Sequence, residues 1–299
     1  MGNQSVDEQS VPQNFCALSA EYASWDASKV VVLPVPYDLT TSYQPGARRG
    51  PAAIIEASAQ LELYDDELAT EPYQVGIHTL APLGPVVSGP DAMAQRTARA
   101  LTPILKAGKF PVVLGGDHAV THGVIQAIQN RHDEFSVLQL DAHADLRDTY
   151  QGSQWSHATV GRRISERAHL VQLGVRSFSS EEAAHLKQPN VNVTSVLART
   201  WHDAPQTVEA ALDQLQDPVY ITIDLDVFDP SIMPATGTPE PGGLNWYQVL
   251  AVLKRVFERH TVMGCDVVEL APLPGMVAPD FLAAKLVYKL IGYWQMATK

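Results

Sequence analysis

Three stretches of the sequence place acidic residues and histidines directly after a short apolar run. They read Val-Val-Leu-Gly-Gly-Asp-His at 112–118, Val-Leu-Gln-Leu-Asp-Ala-His-Ala-Asp at 137–145 and Val-Tyr-Ile-Thr-Ile-Asp-Leu-Asp at 219–226. Because ligand sites in open α/β sheets lie beyond the carboxyl ends of the strands, we expect the three stretches to build one site. Alternate side chains of a strand share a face, so Asp141, His143 and Asp145 point the same way if their strand continues through them.

The aspartates of these stretches require positive charge nearby. An uncompensated carboxylate is costly to remove from water, and none of the three stretches contains a lysine. Four aspartates carry −4, which two divalent cations balance, and two histidines complete the sites as neutral imidazoles. The predicted metal ligands are His118, Asp141, His143, Asp145, Asp224 and Asp226.

The types of ligand indicate which metal is bound. Four oxygen donors, two nitrogen donors and no thiolate make a hard ligand set, which suits Mn²⁺ better than a structural Zn²⁺. We therefore predict two Mn²⁺ ions per subunit, with Fe²⁺, Co²⁺ and Ni²⁺ as open alternatives. A single Asp-x-His or Asp-x-Asp pair is more often a cap or a solvated turn. Three such clusters at three strand ends favour metal binding instead.

The elements that position these residues follow from the hydrophobic pattern. Short apolar runs, typical of strands buried on both faces, recur at 30–34, 110–114, 135–140, 170–175, 219–223 and 261–268. Helical patterns separate them, from Pro51 onward and at 91–107, 120–130, 207–215, 244–259 and 279–293. Strand alternating with helix predicts a doubly wound α/β sandwich with a central, mainly parallel sheet. We predict an N-terminal arm over 1–29 and a single catalytic domain over 30–299.

Composition and charge exclude several classes of protein. The 299 residues include 33 acidic and 21 basic side chains, a net charge of −12 that disfavours binding to nucleic acid or an anionic membrane and mildly favours cationic ligands. Two cysteines are too few for a disulfide framework. The sequence shows neither an apolar run of membrane-spanning length nor a secretory signal at its start, which predicts a cytoplasmic protein.

These motifs resemble the signatures of the ureohydrolases, the family of arginases and agmatinases. The stretches at 115–118, 141–145 and 224–231 carry the resemblance, which extends to 43–48, 234–239 and 266–272 and covers nearly the whole chain. The resemblance implies a binuclear manganese enzyme that hydrolyses a guanidino group to an amine and urea. It further implies a single three-layer α/β/α domain of the arginase type, in a homo-oligomer that we expect to be a trimer or hexamer. All six predicted ligands match the family's metal positions, with Asp141 and Asp224 as the bridging ligands.

The same resemblance assigns roles to further residues. A water shared by two metal ions is readily deprotonated near neutral pH, and Asp145 accepts a hydrogen bond from it. Glu269 is expected to hold the guanidinium through two parallel hydrogen bonds. Thr236 is expected to line that pocket, and His157 to give a proton to the departing amine. The alternatives are a structural salt bridge for Glu269, turn chemistry for Thr236 and a surface or capping role for His157. We interpret His122 as a packing residue.

The loop after the second signature bears on the substrate. Arg147 stands where arginases usually have asparagine, which favours the agmatinase branch and a small cationic guanidino substrate such as agmatine or aminopropylagmatine. Asp148 then pairs with the distal ammonium group, or alternatively with Arg147 or Arg162. An ω-guanidino acid such as guanidinobutyrate is the second candidate, because Arg147 can meet a carboxylate, and arginine is the third.

Two other classes of protein share parts of this pattern. A metal-binding but inactive regulatory partner is disfavoured because no ligand is missing from the sequence. A deacetylase-type amide hydrolase with a single Zn²⁺ is disfavoured by the oxygen-rich ligand set and by Glu269.

Overall fold

A central eight-stranded sheet organises the protein in the computed structural model, which describes residues 11–298. The strands are β1 Val30–Val35, β2 Ile77–Thr79, β3 Phe110–Gly115, β4 Ser136–Leu140, β5 His169–Val175, β6 Val193–Leu197, β7 Val219–Asp224 and β8 Val262–Val268. Their order across the sheet is β2-β1-β3-β8-β7-β4-β5-β6, and neighbouring strands in the described range pair in parallel. The six predicted strands are confirmed to within one residue at each end.

The two edge strands, β2 and β6, were not predicted. The first has only three residues, and the second has mostly half-buried side chains. An edge strand has a neighbour on one side only, so it lacks the uniform apolar run by which the inner strands are identified.

Helices cover both faces of the sheet. They are α1 Ala20–Ala23, α2 Gly50–Ser58, α3 Pro90–Lys106, α4 Thr121–Gln129, α5 Val160–Ser165, α6 Ser180–Leu186, α7 Ala198–Asp203, α8 Gln206–Leu212, α9 Trp246–Arg259 and α10 Ala278–Ala297. The six helices that the sequence predicts are present, although α8 ends three residues early and α10 continues four residues further. The short helices α1, α5, α6 and α7 were not predicted. No helix within residues 11–298 combines the length and hydropathy that crossing a membrane requires.

Alternate residues of the inner strands enter two separate hydrophobic cores. Val30 and Val32 of β1 pack in the core that includes α9 and α10, whereas Val31 and Leu33 pack in the core that includes α3 and α4. A sheet with an apolar core on each face is the middle layer of three. The predicted three-layer α/β/α sandwich is therefore confirmed.

The described part of the predicted N-terminal arm lies against the domain. Phe15 is fully buried in the first core, and its backbone N–H donates to Thr79 Oγ1 at 3.0 Å. The backbone N–H of Cys16 donates to Ser58 Oγ at 2.7 Å. Residues 1–10 of the arm, and Lys299, lie outside the described range.

Candidate metal centre and active-site cleft

Four adjacent strands bring the predicted site residues to one edge of the sheet. The strands β3, β8, β7 and β4 are neighbours, and the segments that follow their carboxyl ends carry His118, Glu269, Asp226 and Asp141 respectively. Asp224 is the last residue of β7, and its carboxylate accepts the backbone N–H of Asp226 at 2.9 Å. The expectation that the three stretches meet at the carboxyl ends of a parallel sheet is thus confirmed.

The second strand does not continue through Asp145, so the condition under which Asp141, His143 and Asp145 would share one face of a strand is not met. Strand β4 ends at Leu140, and Asp145 has φ 53°, a left-handed conformation that an extended strand excludes. Hydrogen bonds within the loop orient the ligands instead. Asp141 Oδ1 accepts the backbone N–H of His143 at 2.6 Å, and Asp226 Oδ1 accepts that of Ala142 at 3.0 Å.

The six predicted ligands converge, and we call them the ligand cluster. Two groups of three ligand atoms lie within 4.8 Å of one another, those of His118, Asp141 and Asp224 and those of Asp141, His143 and Asp226. Asp141 belongs to both groups, as a bridging ligand would. Asp145 joins the first group through its Oδ2, which lies 3.3 Å from Nδ1 of His118. The spacing allows each group to surround one cation.

The environment of His118 shows that the cluster suits a cation. Its Nε2 lies 2.8 Å from Thr222 Oγ1, which in turn donates to Asp266 Oδ1 at 2.6 Å. Because a hydroxyl has one proton and an ionised carboxylate takes it, Thr222 must accept from an Nε2–H of His118. In the neutral ring, the lone pair of Nδ1 then points toward carboxylates, the nearest of them Asp141 at 3.1 Å, and this buried nitrogen has no hydrogen-bond partner among residues 11–298. A divalent cation placed between Nδ1 and these carboxylates would replace the repulsion between their lone pairs with coordination bonds.

The pKa shifts in the cluster have the same cause. Burial raises the pKa of Asp145 to about 7, and the charge of Asp141 adds to the effect. Burial, followed by the charges of Asp226 and Asp141, raises the pKa of Asp224 well above its usual value. Burial lowers the pKa of His118, but the carboxylates of Asp141, Asp145 and Asp224, at 3.1–3.5 Å from its Nδ1, outweigh burial and raise that pKa well above the ordinary range. The carboxylates repel one another and attract positive charge, which is the electrostatic environment of a cation site.

A cavity of about 360 Å³ opens beside the ligand cluster. Its lining includes Glu269, which is 9% exposed and whose Oε1 accepts the backbone N–H of His118 at 2.7 Å. Burial, followed by the charge of Asp117, raises the pKa of Glu269 well above its usual value. Thr236, which was expected to line the pocket, is buried and is not among the lining residues, although the neighbouring Gly237 is. The hydroxyl of Thr236 has no hydrogen-bond partner within residues 11–298. The cavity therefore presents the carboxylate of Glu269, which pairs with no lysine or arginine in the described part of the chain.

His157 lies at the same cavity as a partly buried, uncharged imidazole. Its Nδ1 is 3.1 Å from Thr40 Oγ1, and the ring of Tyr150 packs against it edge-on at 5.5 Å. Burial lowers the pKa of His157 to about 4. A neutral imidazole at a cavity wall can accept and then release a proton.

The structure changes the expected role of Asp148. Its carboxylate pairs with Arg163, so neither Arg147 nor Arg162 is its partner, and it is not part of the cavity lining. Arg147 does line the cavity, with its Nε 3.8 Å from Glu182 and its guanidinium 5.3 Å from the centre of the Tyr150 ring. The orientation of α5, the helix that follows the loop, determines which arginine lies beside Asp148. A sequence pattern does not reveal that orientation.

Several lining residues were missed by sequence reasoning. They include Tyr43, Tyr150, Glu182 and Glu240. Ser179 and Glu182 form a capping box at the start of α6. The pattern Ser-x-x-Glu therefore indicates the start of a helix, but it does not indicate that Glu182 lines a cavity. The interpretation of His122 as a packing residue is confirmed, because it is 4% exposed and its Nε2 contacts the carbonyl oxygen of Ser156 at 3.1 Å.

Comparison with known proteins agrees with this architecture. The sequence model of the arginase family matches residues 28–292. An N(1)-aminopropylagmatine ureohydrolase from Synechocystis is 44% identical, and the match covers 95% of this chain and 94% of that protein. An agmatinase from Pyrococcus horikoshii is 36% identical, with 88% and 90% covered. The crystal structure of an agmatine ureohydrolase from Thermoplasma volcanium has a TM-score of 0.84 at 27% identity and covers 95% of this chain and 94% of its own.

The fold and the site define an α/β protein with two adjoining groups of potential metal ligands at the carboxyl edge of its sheet. The chain belongs to the arginase family. The resemblance that the motifs indicated is confirmed, and the relatives compared above are named N(1)-aminopropylagmatine ureohydrolase, agmatinase and agmatine ureohydrolase.

Proposed function

We propose that this protein is a ureohydrolase that cleaves agmatine or aminopropylagmatine into urea and the corresponding polyamine, putrescine or spermidine. The observation that carries the proposal is the ligand cluster, two groups of ligand atoms joined by Asp141, beside a cavity that presents the carboxylate of Glu269. The relatives named for these two substrates, matched over nearly their whole length, support it.

The ligand cluster would hold two Mn²⁺ ions per subunit. His118 and Asp145 would bind one ion, His143 and Asp226 the other, with Asp141 and Asp224 shared. The hard oxygen-rich donors and the lone pair of His118 Nδ1 support this assignment. When bound, the ions neutralise the aspartates and lower the pKa of a water molecule, so that a nucleophile exists at neutral pH.

Glu269 would orient the substrate. A guanidinium is a planar fork of N–H donors, and a carboxylate accepts two of them in parallel. Burial without a cationic partner keeps the pKa of Glu269 high, so a bound guanidinium would restore its ionised form. We assign Thr236 to the same pocket, because its buried hydroxyl has no hydrogen-bond partner.

Two further residues would handle protons. Asp145 would accept a hydrogen bond from the attacking water and aim it at the guanidinium carbon. His157 would deliver a proton to the departing amine nitrogen as its bond to that carbon breaks. Its position at the cavity wall and its uncharged imidazole support this role.

The charges around the cavity favour a cationic substrate tail. Glu182 and Glu240 line it, and Glu182 already faces Arg147 at 3.8 Å. A tail carboxylate would therefore compete with Glu182 for Arg147, whereas a tail ammonium group would find acidic neighbours. We assign the tail site to Glu182 and Glu240 rather than to Asp148, and rank guanidinobutyrate and arginine below the amines.

A panel of substrates tests the proposal. The manganese-loaded protein is incubated with agmatine, aminopropylagmatine, arginine, guanidinobutyrate and formiminoglutamate, and urea or formamide is assayed. We expect the highest kcat/KM for one of the two amines. Absence of product from every compound, with two metal ions bound, would instead identify a metal-binding protein without this activity.

We also propose a cytoplasmic trimer or hexamer. The resemblance to ureohydrolases, which usually oligomerise, supports the assembly. Light scattering after size-exclusion chromatography measures the number of subunits, and cell fractionation measures the location. A monomer, or a protein recovered outside the cytoplasm, would contradict these two proposals.

A further inference from the structure

A partly buried chain of hydrogen bonds runs from Asp117 through Thr40 to His157. Asp117 is fully buried, and its Oδ2 accepts both the backbone N–H and the hydroxyl of Thr40 at 2.8 Å. Thr40 Oγ1 accepts the backbone N–H of His157 at 3.0 Å and lies 3.1 Å from Nδ1 of the same residue. Thr40 follows β1, so the chain joins two loops that are remote in sequence.

Gly116 allows the segment that carries Thr40 to approach Asp117 closely. A Cβ on this residue would lie 2.0 Å from the carbonyl oxygen of Tyr37, a distance that no side chain permits. The backbone N–H of Asp117 donates to that same carbonyl oxygen at 2.7 Å. The loop that carries Thr40 is therefore held against Asp117 by main-chain contacts as well as by the side-chain bonds.

The direction of each proton in the chain follows from the inventory of donors. Asp117 accepts a backbone N–H on each of its carboxylate oxygens, from Thr40 on Oδ2 and from Ala119 on Oδ1, so the Thr40 hydroxyl is the donor in its own contact with Asp117. One lone pair of Thr40 Oγ1 accepts the backbone N–H of His157, and the other faces Nδ1. That contact is attractive only if Nδ1 carries the proton. Ser156 Oγ, 3.3 Å from Nδ1, can accept the same proton as a weaker second partner.

We infer that Thr40 and Asp117 are positioning residues that hold His157 in its Nδ1–H tautomer and leave Nε2 as the nitrogen that exchanges protons with the substrate. The inference rests on the proposed function. Nε2 takes a proton that originates from the attacking water and passes it to the amine nitrogen as the C–N bond breaks, while the Nδ1 proton stays on the ring. The carboxylate of Asp117, relayed through Thr40, stabilises the transient imidazolium, as the buried aspartate does in a Ser-His-Asp triad.

Removal of the Thr40 hydroxyl tests the inference. Thr40→Val keeps the shape of the side chain, and we expect kcat to fall about 10- to 100-fold because a misoriented catalytic group loses most of its effect. KM should stay within about 2-fold, because Thr40 is not among the cavity-lining residues. Thr40→Ser keeps the hydroxyl and should restore kcat. Thr97→Val is the matched control, since Thr97 is fully buried in α3 and its hydroxyl has no hydrogen-bond partner.

A double-mutant cycle separates positioning from a structural role. His157→Ala should lower kcat about 10²- to 10⁴-fold, and Thr40→Val should add no further loss in that background, because its effect passes through His157. If the two losses multiply, or if Thr40→Val alone leaves kcat unchanged, the inference is overturned. In either case a wild type that releases urea shows that the proposed function stands. A wild type without urea release refutes both.

A measurement on the unaltered protein covers the case in which Thr40→Val does not fold. Nitrogen-15 NMR of histidine-labelled protein loaded with Mg²⁺ or Zn²⁺, which are diamagnetic, reports which ring nitrogen carries the proton. We expect the proton of His157 on Nδ1. A proton on Nε2 alone would overturn the inference.

Discussion

The hydroxyl of Thr222 should strengthen metal binding by His118, although Thr222 is not itself a predicted metal ligand. Thr222 is fully buried in β7, accepts the Nε2–H of His118 at 2.8 Å and donates to Asp266 at 2.6 Å. Thr222→Val keeps the β-branched shape and removes both hydrogen bonds. His118 would then have a buried N–H without an acceptor, and its ring would lose the contact that aims Nδ1 at the ligand cluster.

The size of the effect follows from that loss. A buried donor left without a partner costs about 1–3 kcal/mol, and loss of a hydrogen bond that orients a metal ligand typically weakens affinity about 10- to 100-fold. The two ranges agree, since tenfold corresponds to about 1.4 kcal/mol. We therefore expect Mn²⁺ to bind the His118 site of Thr222→Val about 10- to 100-fold more weakly than in the wild type.

Calorimetric titration of chelator-treated protein with MnCl₂ measures this affinity. Thr222→Ser keeps the hydroxyl and should bind Mn²⁺ like the wild type, and Thr97→Val controls for the loss of a buried hydroxyl elsewhere. Wild-type affinity in Thr222→Val would refute the reasoning. So would equal weakening in Thr222→Ser, because the hydroxyl would then not be the cause.

Three further predictions address substrate binding, pH dependence and stability. Glu269→Gln should lower kcat/KM for agmatine at least about 100-fold, because the charge-assisted pair with the guanidinium is lost. The melting temperature should stay near that of the wild type. An unchanged kcat/KM would show that the guanidinium binds elsewhere. Burial lowers the pKa of His122 to about 4, so between pH 6.5 and 4 the unfolded chain binds more protons and the free energy of unfolding falls as the pH falls. His122→Gln should reduce this pH-dependent fall in the free energy of unfolding by up to about 3 kcal/mol, measured by urea titration at a series of pH values. An unchanged pH dependence in His122→Gln would contradict the prediction. Lys289→Met should destabilise the protein by about 3–5 kcal/mol, because it leaves the buried carboxylate of Asp65, 2.9 Å away, without a cation. The control is Lys187→Met, which changes an exposed lysine and should not destabilise the protein. Equal effects of the two variants on urea denaturation would contradict this prediction.

The centre of the fold could be predicted from the sequence because its strands are buried on both faces. Their uniform apolar runs end at chemically distinctive residues, so the strand ends and the ligand cluster were identified together. Strands β2 and β6 lie at the edges of the sheet and lack that pattern. Helix α5 was missed because its six residues, two of them arginines, are too few to show an apolar period.

The ligands were predictable as a set, but the loops that aim them were not. Asp145 and Glu269 both adopt left-handed backbone conformations, at φ 53° and 68°, which no period of two or 3.6 residues encodes. Thr40 and Glu182 lie outside the motifs, Thr40 three residues before the stretch at 43–48, and only the folded chain brings them near His157 and Arg147. For Asp148 the sequence left open a substrate ammonium group, Arg147 or Arg162, and none of these is its partner, because the orientation of α5 places Arg163 beside it.

The number and position of bound metal ions test the central claim most directly. Crystals grown with MnCl₂ and measured on both sides of the manganese absorption edge give an anomalous map of the ligand cluster. We expect two peaks, one beside His118 Nδ1 and one beside His143 Nδ1, with Asp141 between them. A single peak, or none where Asp141 and Asp226 approach each other, would contradict the two-ion centre on which the proposed hydrolysis depends.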